Sequence, residues 1–442
     1  MLIPPQKGEM IKDYYQSECE RLRVDTTPAR VEPIVDACRR KFEGSAAFAA
    51  AAAAAPTQLM IGRLSYGDTI RSMSRRGIIA GGETSQQDLA FARLALQKSS
   101  IPLTLVPTEM RFREAGFAAF HIPTPLSESP KEVWHGDTAT RLRWDGGPNS
   151  SDDDANHCYG NMERTDLFFR GTFSTVAVKE PSTHNRMISF VHEPSAINNA
   201  FWYPGDHKVH CGDADPLIFA SSFGANPEII VHEFGHAVTY YSSNLDYRYQ
   251  SGAINESLSD VFAITEKHRK ADVKAQDPAA SWNLCEGFIV GAREGSSLRS
   301  MSAPGTGYKG HPILGDDDQV GHMDDYQREP LSSDCGGVHK YSGIANHAFY
   351  FAATQDAGDS WERMGRIWHL ALTRSRHDID FAGFAHETVR AVKDLKFGDA
   401  IEQIVASSWS QVGVLTGMAP PPSATGTPPK ASEEPPQKRT HK

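Results

Sequence analysis

Residues 228–260 read EIIVHEFGHAVTYYSSNLDYRYQSGAINESLSD. Within this stretch lies His232-Glu233-Phe234-Gly235-His236, an H-E-x-x-H pattern in an apolar, helix-like setting. Side chains four residues apart share one face of a helix, so both imidazoles can point at one ion, with Glu233 beside that face to hold a water. This is the spacing used by zinc hydrolases. Twenty residues after His236 comes Glu256, a natural third ligand. Two histidines and one carboxylate leave a fourth tetrahedral position open, which suits a catalytic rather than a structural zinc. Asp260 follows one turn after Glu256, where a carboxylate can accept the second ring N–H of a ligand histidine and fix its tautomer. The five-residue motif alone would also suit a solvated helix; Glu256 and Asp260 argue against that.

The rest of the composition narrows the class. A chain of 442 residues is long enough for two or three domains. Its content of 39% hydrophobic and 23% charged residues is that of a globular protein. A net charge of −10 argues against a nucleic-acid surface. There is no run of eighteen apolar residues, so no membrane span is expected. The start, MLIPPQKGEMIKDYYQSE, has no apolar stretch of the secretory type. Six scattered cysteines (Cys19, Cys38, Cys158, Cys211, Cys285 and Cys335) with no C-x-x-C fit buried free thiols. A cytoplasmic monomer is the expectation, with export by a non-classical route as the alternative.

Along the chain, 45–56 is an alanine-rich, low-complexity linker ended by Pro56, and 59–98 has the pattern of a helical pair. Residues 101–122 alternate in the manner of strands. Residues 123–155, rich in Pro, Gly, Ser and Asp, read as surface loop ending in a solvated run at Asp152, Asp153 and Asp154. A helix is expected from about 155, strands near 187–192 and 209–215, and helices from 342 to 416. A strand edge near 198–206 is either an ordinary hairpin or one that pairs with an extended peptide. The last segment, 418–442, is Pro-rich and polar, expected to be a disordered tail.

Seven stretches taken together resemble the thermolysin family of zinc metallopeptidases. They are NNAFW (198–202), GDAD (212–215), HEFGHAVT (232–239), SGAINESLSD (251–260), SLRSMS (297–302), DCGGVH (334–339) and SGIANHAFY (342–350), all in the family's order. HMDDY (322–326) and NHAFY most resemble the protealysin-like branch. The resemblance spans roughly 155–416, with weaker similarity from about 59.

The resemblance implies an α+β, two-domain metallopeptidase: a β-rich N-terminal catalytic domain, a mainly helical C-terminal domain, and the zinc cleft between them. The implied division is an extension and linker at 1–56, a prosegment at 57–110, the β-rich domain at 111–245, the helical domain at 246–416 and the tail at 417–442. One catalytic Zn2+ would be held by His232, His236 and Glu256, with Asn255 and Asp260 orienting the histidines. Glu233 would be the general base. His339 and Tyr247 stand at the family positions for oxyanion donors, and Asp334 would hold the His339 imidazole. Arg299 would clamp a substrate carbonyl, while Asn199 and Ala200 would bind the substrate backbone. Leu298 and Ile229 would help to line an apolar pocket, giving cleavage on the amino side of bulky hydrophobic residues in proteins or peptides.

Two departures carry physical weight. Where the family's double calcium site is rich in acids, this chain has Glu228 and Glu286 but also Lys267, Asn283 and Gly287. Lysine cannot ligate a cation, so a full Ca2+ pair is not expected. Cys335 stands where the family shows Asn, and is expected to be inert. The rival readings are a zinc aminopeptidase, for which no acidic anchor of the G-x-M-E-N type is present, and a catalytically silent or zymogen-locked zinc-binding protein.

Overall fold

Five strands of four or five residues form one mixed sheet. They are β1 (Lys131–His135), β2 (Arg141–Trp144), β3 (Met187–Val191), β4 (Ala200–Tyr203) and β5 (Lys208–Cys211), in the order β2-β1-β3-β5-β4. β1, β3 and β5 run parallel, and β2 and β4 close the two edges antiparallel. The computed structural model describes residue 10, residues 128–291 and residues 295–414. Apart from Met10, the expected extension, prosegment, tail and the strands read at 101–122 lie outside the described residues.

The alternation of β3 (MISFV) puts Met187, Ser189 and Val191 on the inner face and leaves Ile188 and Phe190 half-buried on the other. The inner face packs on two helices, α1 (Asp153–Phe173) and α2 (Pro227–Ser242). Fully buried Phe168, Phe169 and Phe234 fill this layer, each stabilising the fold by about 1.5–3 kcal/mol.

The structure corrects the reading of 123–155 as loop, because β1 and β2 lie inside it. The reason is Lys131, a charged residue at 1% exposure, whose ammonium donates to Glu128 at 2.9 Å and lies 3.5 Å from Asp166. Polar composition there hides a buried strand, since lysine is rarely buried unless paired. The Asp run is also more than a solvated cluster. Asp152 is the N-cap of α1, accepting from the Ala155 N–H at 3.1 Å, and Asp153 and Asp154 form the acidic first turn.

α2 is started by Asn226, whose Oδ1 accepts the N–H of Glu228 at 3.0 Å, with Pro227 in the first turn. It packs on α3 (Tyr249–Ala271), which in turn packs on α4 (Asp334–Asp356). Gly235 lets α2 and α3 approach: a Cβ there would sit 3.0 Å from Cα of Ser259. α4 begins with a left-handed run over 334–337 (φ 49°, 49°, 88° and 86°), and the Asp334 carboxylate accepts the His339 N–H at 2.8 Å. Helices α5 (Met364–Arg374), α6 (Phe381–Asp394) and α7 (Asp399–Gln411) complete the second half. Trp368 of α5 stacks on Trp409 of α7 with centroids 6.0 Å apart. A two-stranded ribbon, β6 (Asn283–Leu284) with β7 (Arg299–Ser300), sits beside α3. Cys158, Cys211, Cys285 and Cys335 are free and buried. No described helix is long and apolar enough to cross a membrane.

Candidate active site

Helix periodicity places His232 and His236 on the side of α2 that faces α3, and Glu256 and Asp260 on the side of α3 that faces back. The rings of the two histidines are 4.8 Å apart and perpendicular. His232 Nε2 lies 3.4 Å from Oε2 of Glu256, and His236 Nε2 lies 3.4 Å from its Oε1. Donor atoms of the three residues fall within 4.8 Å of one another. His232 and Glu256 are fully buried and His236 is 7% exposed, yet His232 Nε2, His236 Nε2 and Glu256 Oε2 have no hydrogen-bond partner. Three orphaned buried atoms converging on one point are costly unless an ion completes them. Bonds of about 2.1 Å to a tetrahedral zinc put neighbouring ligand atoms about 3.4 Å apart. The donor set and the spacing both fit Zn2+.

The second ring nitrogens are held in place. His232 Nδ1 is 2.8 Å from Oδ1 of Asp260, and His236 Nδ1 is 2.8 Å from Oδ1 of Asn255. Burial alone would raise the Asp260 pKa, but the Arg299 guanidinium and His232 hold it down at about 2. Glu256 is likewise held well below the usual carboxylate range: burial opposes this, and His339, His236 and His232 overcome it. In both carboxyls, neighbouring cationic groups outweigh the cost of burial and favour the charged form.

Glu233 is fully buried beside the ligand cluster. Its Oε2 accepts the backbone N–H of Trp202 at 2.7 Å, while Oε1 has no partner. Trp202 belongs to edge strand β4, so the sheet and the histidine helix are tied at this carboxylate. Ala200 opens the same strand and Asn199 immediately precedes it; Asn199 Oδ1 accepts the Ala200 N–H at 2.9 Å.

The structure brings the remaining expected residues to the same place. The Tyr247 hydroxyl donates to Oε1 of Glu256 and lies 3.5 Å from His339 Nε2. His339 Nδ1 is 2.5 Å from Oδ1 of Asp334, and its Nε2 is 3.4 Å from Oε1 of Glu256. Burial disfavours a charged His339, but Asp334 and Glu256 outweigh it and raise its pKa. Arg299 is buried in a two-point contact with Asp260, Nε to Oδ2 at 2.8 Å and Nη2 to Oδ1 at 2.6 Å. Its guanidinium thus braces the carboxylate behind His232. Leu298 is 5% exposed and Ile229 fully buried, so both are core residues beside the site. Cys335 is buried next to Asp334; burial and that carboxylate push its thiol up to about 11, which keeps it protonated and unreactive at neutral pH.

Three contributors were not legible beforehand. Trp202 acts through its backbone, which no side-chain pattern reveals. Asn346 donates to Asp260 Oδ2 at 2.9 Å, and Ser259 lies 3.2 Å from His236 Nδ1. Both sit inside quoted motifs, NHAFY and SGAINESLSD, which is the only signal they offered. In the stretch comparable to a double calcium site, Lys267 donates to the Asn283 carbonyl at 2.7 Å and lies 3.2 Å from Oε1 of Glu228, whose other oxygen accepts the Cys285 N–H at 2.7 Å.

The chain is similar to known metallopeptidases. Residues 124–240 match the family described as thermolysin metallopeptidase, catalytic domain, and 243–414 match thermolysin metallopeptidase, alpha-helical domain. Protease PrtS of Photorhabdus sp. (strain Az29) is 35% identical over 277 residues, 62% of this chain and 72% of that protein. The extracellular metalloprotease of Pectobacterium carotovorum is 34% identical, over 62% of this chain and 76% of that one. Among solved structures, the precursor of protealysin, a metalloproteinase from Serratia proteamaculans, superposes with a TM-score of 0.59 at 34% identity, covering 66% of this chain and 90% of that chain. The chain belongs to the thermolysin family of metallopeptidases, in its protealysin-like branch, and is a thermolysin-like metalloendopeptidase.

Proposed function

We propose that this enzyme hydrolyses internal peptide bonds at a single zinc held by His232, His236 and Glu256, with Glu233 as general base. The observation that carries this reading is the convergence of three unpartnered buried donor atoms, with Glu233 Oε1 unpartnered beside them. The bound ion supplies Lewis acidity, lowering the pKa of a water to about 7. Glu233, anchored by Trp202, takes the proton through Oε1 and passes it to the leaving amine. His339, oriented by Asp334, which also raises its pKa, and the Tyr247 hydroxyl supply donors where negative charge develops on the scissile carbonyl oxygen. Tyr247 exchanges its bond to Glu256 for that oxygen. Asn255 and Asp260 fix the ligand imidazoles, with Arg299 bracing Asp260; a contact of Arg299 with a substrate carbonyl is the further role that the family resemblance implies. The backbone and side chain of Asn199, with Ala200, receive the extended substrate along edge strand β4.

The preferred bond lies on the amino side of a bulky apolar residue, whose side chain would meet the apolar wall to which Ile229 and Leu298 contribute. A prosegment removed on activation accords with the match to a precursor chain. One zinc and no calcium pair complete the proposal, since Lys267 already supplies positive charge beside Glu228.

A library of peptides blocked at both ends tests this reading, with bound zinc measured in parallel. Cleavage before Leu, Ile or Phe, lost on chelation and restored by zinc, is expected. A preference for charged residues at that position would overturn the specificity. Bound zinc with no cleavage, even after removal of residues up to about 110, would return the protein to the silent zinc-binding class.

A further inference from the structure

His192 stands outside the zinc site, at the end of β3, in a left-handed backbone conformation (φ 54°). Both its nitrogens are engaged by carboxylates: Nδ1 with Asp213 Oδ1 at 2.6 Å, and Nε2 with Asp152 Oδ2 at 2.9 Å. Asp152 is the N-cap of α1. Asp213 follows β5, and its carbonyl accepts the N–H of Asn198 at 2.8 Å. Asn198, 4% exposed, returns the contact by accepting the Asp215 N–H on its Oδ1 at 2.6 Å. The Asn199 carbonyl accepts the Gly212 N–H at 3.0 Å. Gly212 has no room for a side chain, since a Cβ would lie 1.8 Å from the Ala196 carbonyl oxygen. The 212–215 segment therefore holds Asn198 and Asn199, the residues that lead into β4, by two backbone contacts and one through the Asn198 side chain, and His192 holds that segment to α1. The far end of β4 is held separately, by Trp202 on Glu233.

We propose that His192 is a positioning residue for substrate binding: by bridging Asp213 to the cap of α1, it fixes the Asn199–Ala200 end of the strand edge that receives extended peptides. The inference rests on the reading of β4 as the substrate-binding edge. The charge state accords with the bridge. Burial disfavours the imidazolium, but Asp213 and Asp152 outweigh it and push the pKa up to about 11. Asp154, His192 and Asp213 also have the spacing of a metal cluster. The paired carboxylates on both ring nitrogens favour the cation instead, because an ion would have to displace one of them.

The test compares two blocked substrates on the mature enzyme: a hexapeptide long enough to lie along β4, and a dipeptide confined to the scissile bond. His192→Gln and His192→Asn (the latter suited to the left-handed backbone) should raise KM for the hexapeptide about tenfold, leaving its kcat and the dipeptide kcat/KM within about twofold. His192→Lys, which restores the cation, should recover most of the hexapeptide KM. The ratio of the two substrates is independent of the folded fraction, so partial unfolding of a variant does not mask the result. Equal losses on both substrates, or no loss on either, would overturn the proposal. So would a second equivalent of bound divalent metal in the wild type that the variants lack. Wild-type enzyme that cleaves only the dipeptide would instead overturn the reading of β4 as the substrate edge.

Discussion

The backbone N–H of Trp202 lies 2.7 Å from Oε2 of Glu233, so one oxygen of the base is anchored to the sheet while the other is left for chemistry. Glu233→Gln keeps an amide oxygen for Trp202 but removes the base. We expect kcat on a blocked peptide to fall by about 10²–10⁴, with zinc content and Tm near wild type. Steady-state kinetics beside metal analysis checks this; loss of zinc in the variant would mean that Glu233 acts mainly in holding the site together.

Asp260 stands at the centre of a buried network of His232, Arg299 and Asn346. Asp260→Asn leaves Arg299 buried without its counter-charge. The expected cost is about 3–5 kcal/mol of stability and about 10–100-fold in zinc affinity. Denaturant unfolding and a chelator-competition titration measure the two effects separately.

Lys267 beside Glu228 supplies positive charge internally, and this has a consequence for calcium. On the proposal that Lys267 stands in for a calcium pair beside Glu228, a calcium chelator should leave the Tm of zinc-loaded wild-type enzyme within about 1 °C. Lys267→Met should lower stability by about 1–3 kcal/mol, because the partly buried Glu228 loses its ion-pair partner. A rise of several degrees in wild-type Tm on adding calcium would contradict this.

His369 is stacked on Phe173 at 4.8 Å, and burial, aided by the Lys179 cation, lowers its pKa to about 3 from 6.5. The unfolded chain binds this proton below 6.5 and the folded chain does not, so stability falls as pH drops from 6.5 toward 3. The slope approaches ~1.4 kcal/mol per pH unit. Between about pH 7 and pH 5, His369→Phe should therefore lose about 2 kcal/mol less than wild type in urea unfolding. Equal losses would show that this ring is not neutral in the fold.

The residues that hold the proposed metal were legible because their spacing is local. A period of 3.6 residues puts positions four apart on one face, so His232 with His236, and Glu256 with Asp260, could be paired from the string alone. The helices of the second half were visible for the same reason. β1 and β2 were not, because strands of four or five residues with a buried Lys131 carry too little periodic signal among Pro, Gly and Asp.

By itself, then, the sequence determined the family, the order of motifs and the residues proposed as ligands. Only the tertiary structure decided which distant groups complete the site. Trp202 reaches Glu233 across 31 positions, Arg299 grips Asp260 across 39, and Asn346 meets Asp260 across 86. Helical spacing is set by backbone geometry repeated at every residue, whereas these meetings depend on how α2, α3, α4 and the sheet edge pack together. Packing is a property of the whole chain, fixed by which faces are buried against which, and no local period encodes it.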